Sequence, residues 1–247
     1  MSETARQAQL LSWDTNHFGL RMARFAPENV SDIQTAVDWS RDQGVKFLMA
    51  RCDTSNVAVV HELQHHMFLL MDTFVHYTFS FAKKTIPVDS GVIPIRPFQP
   101  DDIPKIHDVA RDSFKGYVGH FHSDPRLDRE TCDSVYSEWA VNSCRDRNLA
   151  DEVLVADRDG DLQGFATLKV LNAVSVEGAL FGVAPKAQGL GIYRSFMVRG
   201  MQWCLERGFG EMEVGTQVNN YAVQRVWQRL GFEIQTSGHT FHLWLND

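Results

Sequence analysis

One short segment, residues 182–197 (GVAPKAQGLGIYRSFM), constrains the fold more than any other part of the chain. It leaves an apolar run that predicts a strand, passes Gly189 and Gly191, and enters a stretch with the apolar period of a helix. Two interpretations are open. The glycines can simply form a strand-to-helix turn, or they can leave the first backbone N–H groups of the helix open to phosphate oxygens. Both interpretations require a strand, a glycine loop and a helix in that order.

The composition is that of an ordinary globular protein. The chain has 247 residues, of which 44% are hydrophobic and 22% charged, enough for one large domain or two small ones. Its net charge of −7 argues against a general binder of nucleic acid or anionic membranes, and no apolar run is long enough to span a bilayer. The first seven residues lack the layout of a signal peptide. We therefore expect a cytoplasmic protein without membrane insertion, and a homodimer is compatible with the sequence.

The cysteines and histidines show no metal-binding pattern. Cys52, Cys132, Cys144 and Cys204 form neither a CxxC pair nor another ligand spacing, and the ten histidines are scattered. We expect reduced thiols and no bound metal.

Helical and strand patterns alternate along the chain. Residues 83–91 (KKTIPVDSG) interrupt the apolar rhythm and predict a linker. The patterns predict helices at 31–44, 56–67, from about Asp102, 192–208 and 219–231, strands at 45–52, 74–81, 176–183, 210–217 and 239–245, a short strand near Ile93 and a hairpin within 152–170. This alternation predicts an α+β (mixed α/β) protein with a smaller N-terminal α/β domain, 1–86, and a second domain, 92–247.

Two of the predicted helices resemble each other at an offset of 164 residues. The matching pairs are Asn56 and Asn220, Ala58 and Ala222, Val59 and Val223, Gln64 and Gln228, and Phe68 and Phe232. Chance is the competing explanation, and the sequence does not decide between them. A real repeat would make the first half a degenerate copy of the second, without a glycine loop of its own. We would then expect it to shape the substrate site and to bind no cofactor.

The glycine segment resembles a motif of a known family. Val183, Pro185, Gln188, Gly189 and Gly191 match the acetyl-CoA motif V-x-P-x-x-[Q/R]-G-x-G of the GCN5-related N-acetyltransferases (GNAT). A second family motif, N-x-x-A-x-x-x-Y-x-x-x-G-F, is met by Asn220, Gly231 and Phe232, with Val223 and Trp227 in the places of its alanine and tyrosine. The resemblance covers about 92–247 and implies the family's fold.

The resemblance implies acetyl-CoA as the acetyl donor and CoA as a product. The strand would pair with the pantetheine arm, the loop amides would bind the pyrophosphate, and Asn220 would hold the arm further along. The implied cofactor residues are Phe181, Gly182, Val183, Gln188, Gly189, Leu190, Gly191, Ile192, Tyr193, Asn220 and Trp227. Asn219 or Asn220 can also simply cap the following helix. Tyr193 stands where the family has a small residue. Its ring either contacts the cofactor or simply packs against the protein.

Two positions carry the chemistry that the resemblance implies. Glu177 lies six residues before Val183, where many of these enzymes have a glutamate that deprotonates the amine through water; otherwise it is a solvent-facing strand residue. Trp227 replaces the tyrosine that protonates the leaving thiolate, and an indole N–H is too weak an acid for that task. We expect Trp227 to be a packing wall, so another acid or water must act.

The acceptor is expected to bind at an insertion, residues 114–143, together with the N-terminal half. With residues 10–20 it resembles the nucleotide-sugar N-acetyltransferases related to TDP-fucosamine acetyltransferase. His122 is the candidate base, and either His120 or His122 could bind phosphate; both could equally be ordinary loop histidines. Asp124, Arg126 and Tyr136 are candidates for sugar or phosphate contacts.

The leading hypothesis is an acetyl-CoA-dependent N-acetyltransferase that acts on the amine of a nucleotide-linked deoxy-amino-sugar. A second hypothesis keeps the chemistry but changes the acceptor to a peptide or small-molecule amine. A third is a non-catalytic acyl-CoA sensor, which the missing tyrosine keeps open.

Overall fold

The computed structural model describes residues 8–89, 91 and 93–245. The first seven residues, where we expect no signal peptide, and Ser90 of the predicted linker lie outside this part. The helices are α1 (Ser12–Phe18), α2 (Val30–Asp42), α3 (Val57–His65), α4 (Ile103–Ser113), α5 (Arg129–Arg145), α6 (Ile192–Glu206) and α7 (Tyr221–Leu230). The strands are β1 (Gln9–Leu10), β2 (Met22–Phe25), β3 (Phe47–Asp53), β4 (Leu69–Ser80), β5 (Ile95–Pro97), β6 (Glu152–Arg158), β7 (Asp161–Val170), β8 (Ser175–Val183), β9 (Glu211–Gln217) and β10 (Glu233–Trp244). The predicted mixed α/β class is confirmed.

The chain forms two compact units. The first unit contains Met1–Val75, Val118–Cys132 and Thr236–Asp247, and the second contains His76–Tyr117 and Asp133–Gln235. The predicted domains, 1–86 and 92–247, stay a prediction, because the compactness of the two units does not test whether either range folds by itself. Within the described ranges, no helix is both long and apolar enough to cross a membrane.

The first unit is built on strands in the order β1, β2, β3, β10, β4. Strand β2 runs parallel to β3 over its whole length, and β10 pairs antiparallel with β3 from Gly238 opposite Asp53 to Trp244 opposite Phe47. The side chains of Ile33 on α2, Leu63 on α3 and Leu48 on β3 are fully buried together in one apolar core. Burial of such side chains contributes about 1.5–3 kcal/mol each relative to exposure.

The second unit is built on strands in the order β4, β9, β8, β7, β6, β5. Strands β6 and β7 form the predicted hairpin, whose turn has Asp159 and Gly160 at φ values of 53° and 86°. Such positive values match the twist of a two-residue hairpin turn. Helix α6 buries Phe196 and Met197 completely in the core of this unit.

Strand β8 is irregular in a way that opens a gap. Its pairing with β7 shifts register between Thr167 and Leu168, so that Ala179 has no partner across the ladder, and the Leu180 N–H donates to the Thr167 hydroxyl at 3.0 Å. Its parallel pairing with β9 covers only Ser175–Gly178. The remaining residues, up to Val183, run past this pairing and leave one strand edge without that partner.

The structure extends the sequence repeat from two helices to whole elements. At the offset of 164, β3 begins and ends where β9 does, and β4 where β10 does. The residues before α3 and α7, Asn56 and Asn220, have nearly identical backbone angles, φ −83° and ψ 69° against φ −81° and ψ 66°. After the helices, Met67 has a φ of 62° where Gly231 has 94°.

The two halves differ at the connection from strand to helix. Residues 26–29 join β2 to α2, whereas residues 184–191, including the two glycines, join β8 to α6. The first unit therefore carries the strand–helix arrangement without the glycine loop.

Candidate active site

A cavity of about 680 Å³ lies in the second unit where β8 runs past β9. Of the predicted cofactor residues, Phe181, Gly182, Val183, Gln188, Gly189, Gly191, Ile192, Tyr193 and Asn220 line it. Leu190, which is 49% exposed, and Trp227, which is buried, are not among the lining residues. The cavity is also lined by residues that the sequence did not assign to the cofactor: Ser113, Phe114, Tyr117, Ala187, Arg194, Ala222, Val223, Val226, Arg229 and Leu230.

The glycine loop presents backbone N–H groups at the start of α6. Gly189 and Gly191 have φ values of 78° and 85°, a region that side-chain-bearing residues rarely adopt. Gly191 is the residue before the helix, no side chain caps it, and a Cβ on either glycine would meet no atom within 4 Å. The open space, the unpaired amides and the positive end of the helix dipole together fit a diphosphate.

Two arginines add positive charge to this cavity. Arg194 is half-buried in the first turn of α6, donates to the Val88 carbonyl at 2.8 Å and lies 3.6 Å from Asp89. Arg229 is exposed on α7. Guanidinium groups bind phosphate well because their donors form a planar fork.

Asn220 stands at the start of α7 but does not cap it. Its side-chain amide donates to the Thr216 hydroxyl at 2.9 Å, and it makes no capping hydrogen bond. The interpretation of Asn220 as a side-chain cap is therefore wrong. Asn56, its counterpart in the first unit, does cap α3, accepting from the Val59 N–H at 3.3 Å.

Glu177 lies on β8 away from the cavity-lining set. It is half-buried, opposite Lys169 on β7 and Glu213 on β9. The register shift alters which β8 residues share a face: a Cβ on Gly178 would meet the ring of Phe181 at 2.9 Å, although residues three apart in a regular strand face opposite ways. The sequence spacing of Glu177 therefore does not fix its direction, and its role as base stays a prediction.

Trp227 is buried on α7 beside the cavity and joins two tyrosines. Its ring packs 5.4 Å from that of Tyr77, and its indole N–H donates to the Tyr193 hydroxyl oxygen at 3.0 Å. Burial raises the pKa of Tyr193 well above its usual value, and the hydrogen bond from Trp227 opposes that rise only in part.

A cluster of three aromatic rings adjoins the cavity. Phe114 and Tyr136 stack with ring centres 4.4 Å apart, and Tyr117 meets Tyr136 edge-on at 5.1 Å. The Tyr117 hydroxyl donates to the Gln217 side-chain oxygen. The predicted acceptor residue Tyr136 thus supports two rings that line the cavity, although it does not line the cavity itself.

The other predicted acceptor residues lie in the first unit, around a histidine that sequence analysis missed. Asp124 accepts from His242 Nδ1 at 3.2 Å and from the Trp244 indole at 2.8 Å, and His242 Nε2 lies 3.0 Å from His120 Nδ1. Arg126 lies 4.8 Å above the Trp244 ring. The sequence did contain a signal for the burial of His242, because this residue lies in the predicted final strand between apolar neighbours.

The hydrogen bonds that link His120, His242 and Asp124 all donate in the direction of Asp124. Burial alone would raise the pKa of Asp124, but bonds from His242 and Trp244 outweigh it and hold that pKa well below its usual range. Burial lowers the pKa of both His242 and His120. With both rings neutral, His242 donates through Nδ1, so its Nε2 must accept from His120. His120 Nε2 is then an acceptor, 3.5 Å from the Arg51 guanidinium.

His122 has the opposite arrangement. Its Nδ1 accepts from the Gly119 N–H at 3.2 Å, so in the neutral ring Nε2 carries the proton. The two predicted histidines therefore differ in what their second nitrogen offers: an acceptor in His120 and a donor in His122.

Comparisons with known proteins bear on the whole chain. A family model described as acetyltransferase (GNAT) family matches residues 106–232. The chain is 23% identical over 232 residues to dTDP-fucosamine acetyltransferase of Escherichia coli, covering 93% of this chain and 94% of that protein. It is 26% identical over 169 residues to the spore coat polysaccharide biosynthesis protein SpsD of Bacillus subtilis, covering 67% of this chain and only 54% of that protein.

One solved structure shows that the likeness of fold is not confined to the glycine-loop half. A GCN5-related N-acetyltransferase from Sphaerobacter thermophilus matches 97% of this chain and 76% of its own, with a TM-score of 0.66 at 13% identity.

Proposed function

The chain belongs to the acetyltransferase (GNAT) family, and on that premise we propose that it transfers the acetyl group of acetyl-CoA to the amine of a nucleotide-linked deoxy-amino-sugar. The observation that carries the donor half of this proposal is the glycine loop at the mouth of the cavity. It offers unpaired amides, a helix N-terminus and two guanidinium groups to the diphosphate of the donor.

The rest of the donor fits the gap beside β8. The edge of residues 181–183 that has no partner on β9 supplies backbone donors and acceptors, so the amide groups of a pantetheine arm would add to it as a short strand. A backbone N–H on the same edge can polarise the thioester carbonyl. The aromatic and apolar lining from Phe114, Tyr117 and Val226 keeps water from the acetyl end.

The acceptor half rests on the first unit and on the relatives. One relative is named for acetylation of dTDP-fucosamine, a sugar nucleotide, and another is named for polysaccharide biosynthesis. The Asp124–His242–His120 chain presents an imidazole acceptor next to Arg51. We assign the base role to His120, whose Nε2 is an acceptor, and phosphate binding to His122 and Arg51, whose N–H groups are donors.

The test is turnover of acetyl-CoA with a panel of amines, measured through the release of free thiol. We expect activity with nucleoside-diphosphate amino-sugars and little with peptides, polyamines or free amino-sugars. Efficient turnover of peptides, with none of any nucleotide-sugar, would contradict the acceptor assignment while leaving the donor assignment intact. Failure of acetyl-CoA to bind would contradict both.

The histidine roles have their own test. His120→Asn should lower kcat about 100-fold by removing a proton acceptor, and His122→Ala should mainly raise the KM for the acceptor. Acetyl-CoA affinity, measured by calorimetry, should stay unchanged in both. His107→Asn, on an exposed position of α4, is the matched control. Unaltered acceptor kinetics in both variants would remove the 118–132 segment from the acceptor site.

A further inference from the structure

The tyrosine expected to protonate the leaving thiolate is absent from its motif position, where Trp227 stands. The structure nevertheless brings a tyrosine hydroxyl to that tryptophan. The Trp227 indole N–H donates to the Tyr193 hydroxyl oxygen at 3.0 Å, and Tyr193 lines the cavity while Trp227 lies behind it. The two side chains come from the first turn of α6 and from α7, far apart in sequence.

This hydrogen bond fixes where the Tyr193 proton can go. An indole nitrogen only donates, so the tyrosine oxygen must be the acceptor of the bond. The hydroxyl proton of Tyr193 is therefore directed away from Trp227. The indole also stabilises negative charge on the tyrosine oxygen, which favours release of the tyrosine proton when the thiolate leaves.

The other proton-bearing groups of the cavity are already engaged. Among its lining residues within the described chain, the hydroxyl groups are those of Ser113, Tyr117 and Tyr193. Ser113 donates to the Ala110 carbonyl at 3.2 Å, and Tyr117 donates to Gln217. The lining arginines do not release protons at neutral pH. Tyr193 is left as the group able to give one.

We propose that Tyr193, held by Trp227, is the proton donor to the sulfur of the departing CoA. The proposal rests on the proposed acetyl transfer. The amine nitrogen bonds to the thioester carbon, the carbon–sulfur bond breaks, and its electron pair passes to sulfur together with the Tyr193 proton. The base removes the proton from the new amide nitrogen, and that proton returns through water to the tyrosine oxygen, so amine and thioester become amide and thiol.

Burial keeps the Tyr193 hydroxyl protonated, so the proton is present before the thiolate forms. It raises the pKa of Tyr193 above its usual value, so the hydroxyl is protonated across the neutral range. The pH dependence of kcat should therefore show no loss of this group until strongly alkaline pH.

The kinetic test compares two tyrosines. Tyr193→Phe should lower kcat about 100-fold, with little change in the KM for acetyl-CoA, because only transition-state stabilisation is lost. Tyr221→Phe, at a residue of α7 that is 62% exposed, is the control and should leave turnover unchanged. Normal kcat in a folded Tyr193→Phe protein would overturn the proposal.

A second readout needs no acceptor and no turnover. The thiol of bound CoA is titrated by the ultraviolet absorbance of its thiolate, with desulfo-CoA as the blank. Burial raises the pKa of the protein's Cys52 and Cys144 to about 11 and of Cys204 to about 12, so they interfere little, and the desulfo-CoA blank subtracts the absorbance of Cys132. Loss of the hydrogen bond in Tyr193→Phe should raise the pKa of the bound thiol by about one unit, and an unchanged value would contradict the proposal.

The two readouts separate this proposal from the function on which it rests. Wild-type protein that turns over no amine would remove the proposed function, and the thiol titration would still decide whether Tyr193 contacts the sulfur. A rescue variant sharpens the result. Tyr193→Phe combined with Trp227→Tyr places the hydroxyl on the other member of the pair, and it should recover at least tenfold in kcat over Tyr193→Phe alone.

Discussion

Two residues of the glycine loop combine a left-handed backbone with open space in front of a helix. Either feature alone would suit an ordinary turn, but together they bring backbone donors to a surface that no side chain covers. Gly189→Asp or Gly191→Asp should abolish acetyl-CoA binding, because each adds a carboxylate against the phosphates. Calorimetric titration measures this. Gly208→Asp, at the other end of α6 with a φ of 80°, is the control for backbone strain, and equal loss of binding there would contradict the assignment.

Trp227 contributes volume as well as its N–H group. Trp227→Phe should fold and keep turnover within about tenfold, since Tyr193 retains its own proton. Trp227→Ala should lower the free energy of unfolding by about 3–5 kcal/mol, because a large buried ring leaves a cavity. Urea denaturation and steady-state kinetics measure the two effects. A Phe variant that binds CoA but has no activity would show that the indole N–H is essential.

At this scale the sequence predicted the loop but not its partners. Spacing along one strand and one helix identified Gln188, Gly189 and Gly191, since those contacts are local. The pairing of Tyr193 with Trp227 depends on how α6 packs beside α7. The apolar neighbours of His242 in its strand indicated that it would be buried, but its contact with Asp124 likewise depends on two distant segments meeting. No local pattern carries such information.

Among the elements, the end of β10 and the 118–132 segment share a buried ionisable network. The charged and titratable groups around His242 are Asp124, His120, Arg51 and Asp72. Burial lowers the pKa of His242 in the folded protein, while an unfolded chain has a histidine pKa near 6.5. Below about pH 6.5 the unfolded state therefore binds a proton that the folded state does not, and the free energy of unfolding falls.

We expect His242 to contribute a slope of up to about 1.4 kcal/mol per pH unit between about pH 6.5 and 5. Asp124, whose pKa is depressed, adds a further loss below about pH 4. Urea denaturation at a series of pH values measures both. His242→Gln should flatten the upper part of the curve, while His107→Gln should not, and parallel curves for all three proteins would contradict this account.

The sequence predicted the long elements well and missed the short or polar ones. Strand β1 has two residues and β2 has four, so their existence depends on a neighbouring strand and not on a pattern. Helix α5 (RETCDSVYSEWAVNSCR) carries few apolar residues at helical spacing, which hid its length. The β8 register shift is equally invisible, since it depends on a hydrogen bond to Thr167 on the next strand.

For the whole molecule, the repeat separates a half that has the glycine loop from one that lacks it. Five matched residues could not distinguish duplication from chance, whereas coincident element bounds and helix-end angles concern many independent residues. The family assignment from two motifs is confirmed.

We predict one acetyl-CoA per chain by calorimetry, with no residual binding after Gly191→Asp. A second equivalent, or binding that survives this change, would show that the first half also holds the donor.

The pairing of β3 with β10 has a consequence for biosynthesis. The first unit's sheet stays incomplete until residues 238–244 have been made, long after β3 has been translated. While a ribosome is still extending the chain, the nascent first unit would present an unpaired strand edge and a partly uncovered apolar core, both prone to aggregation. Maturation of this half therefore waits for β10, and holdase chaperones should associate with it until that strand emerges from the ribosome.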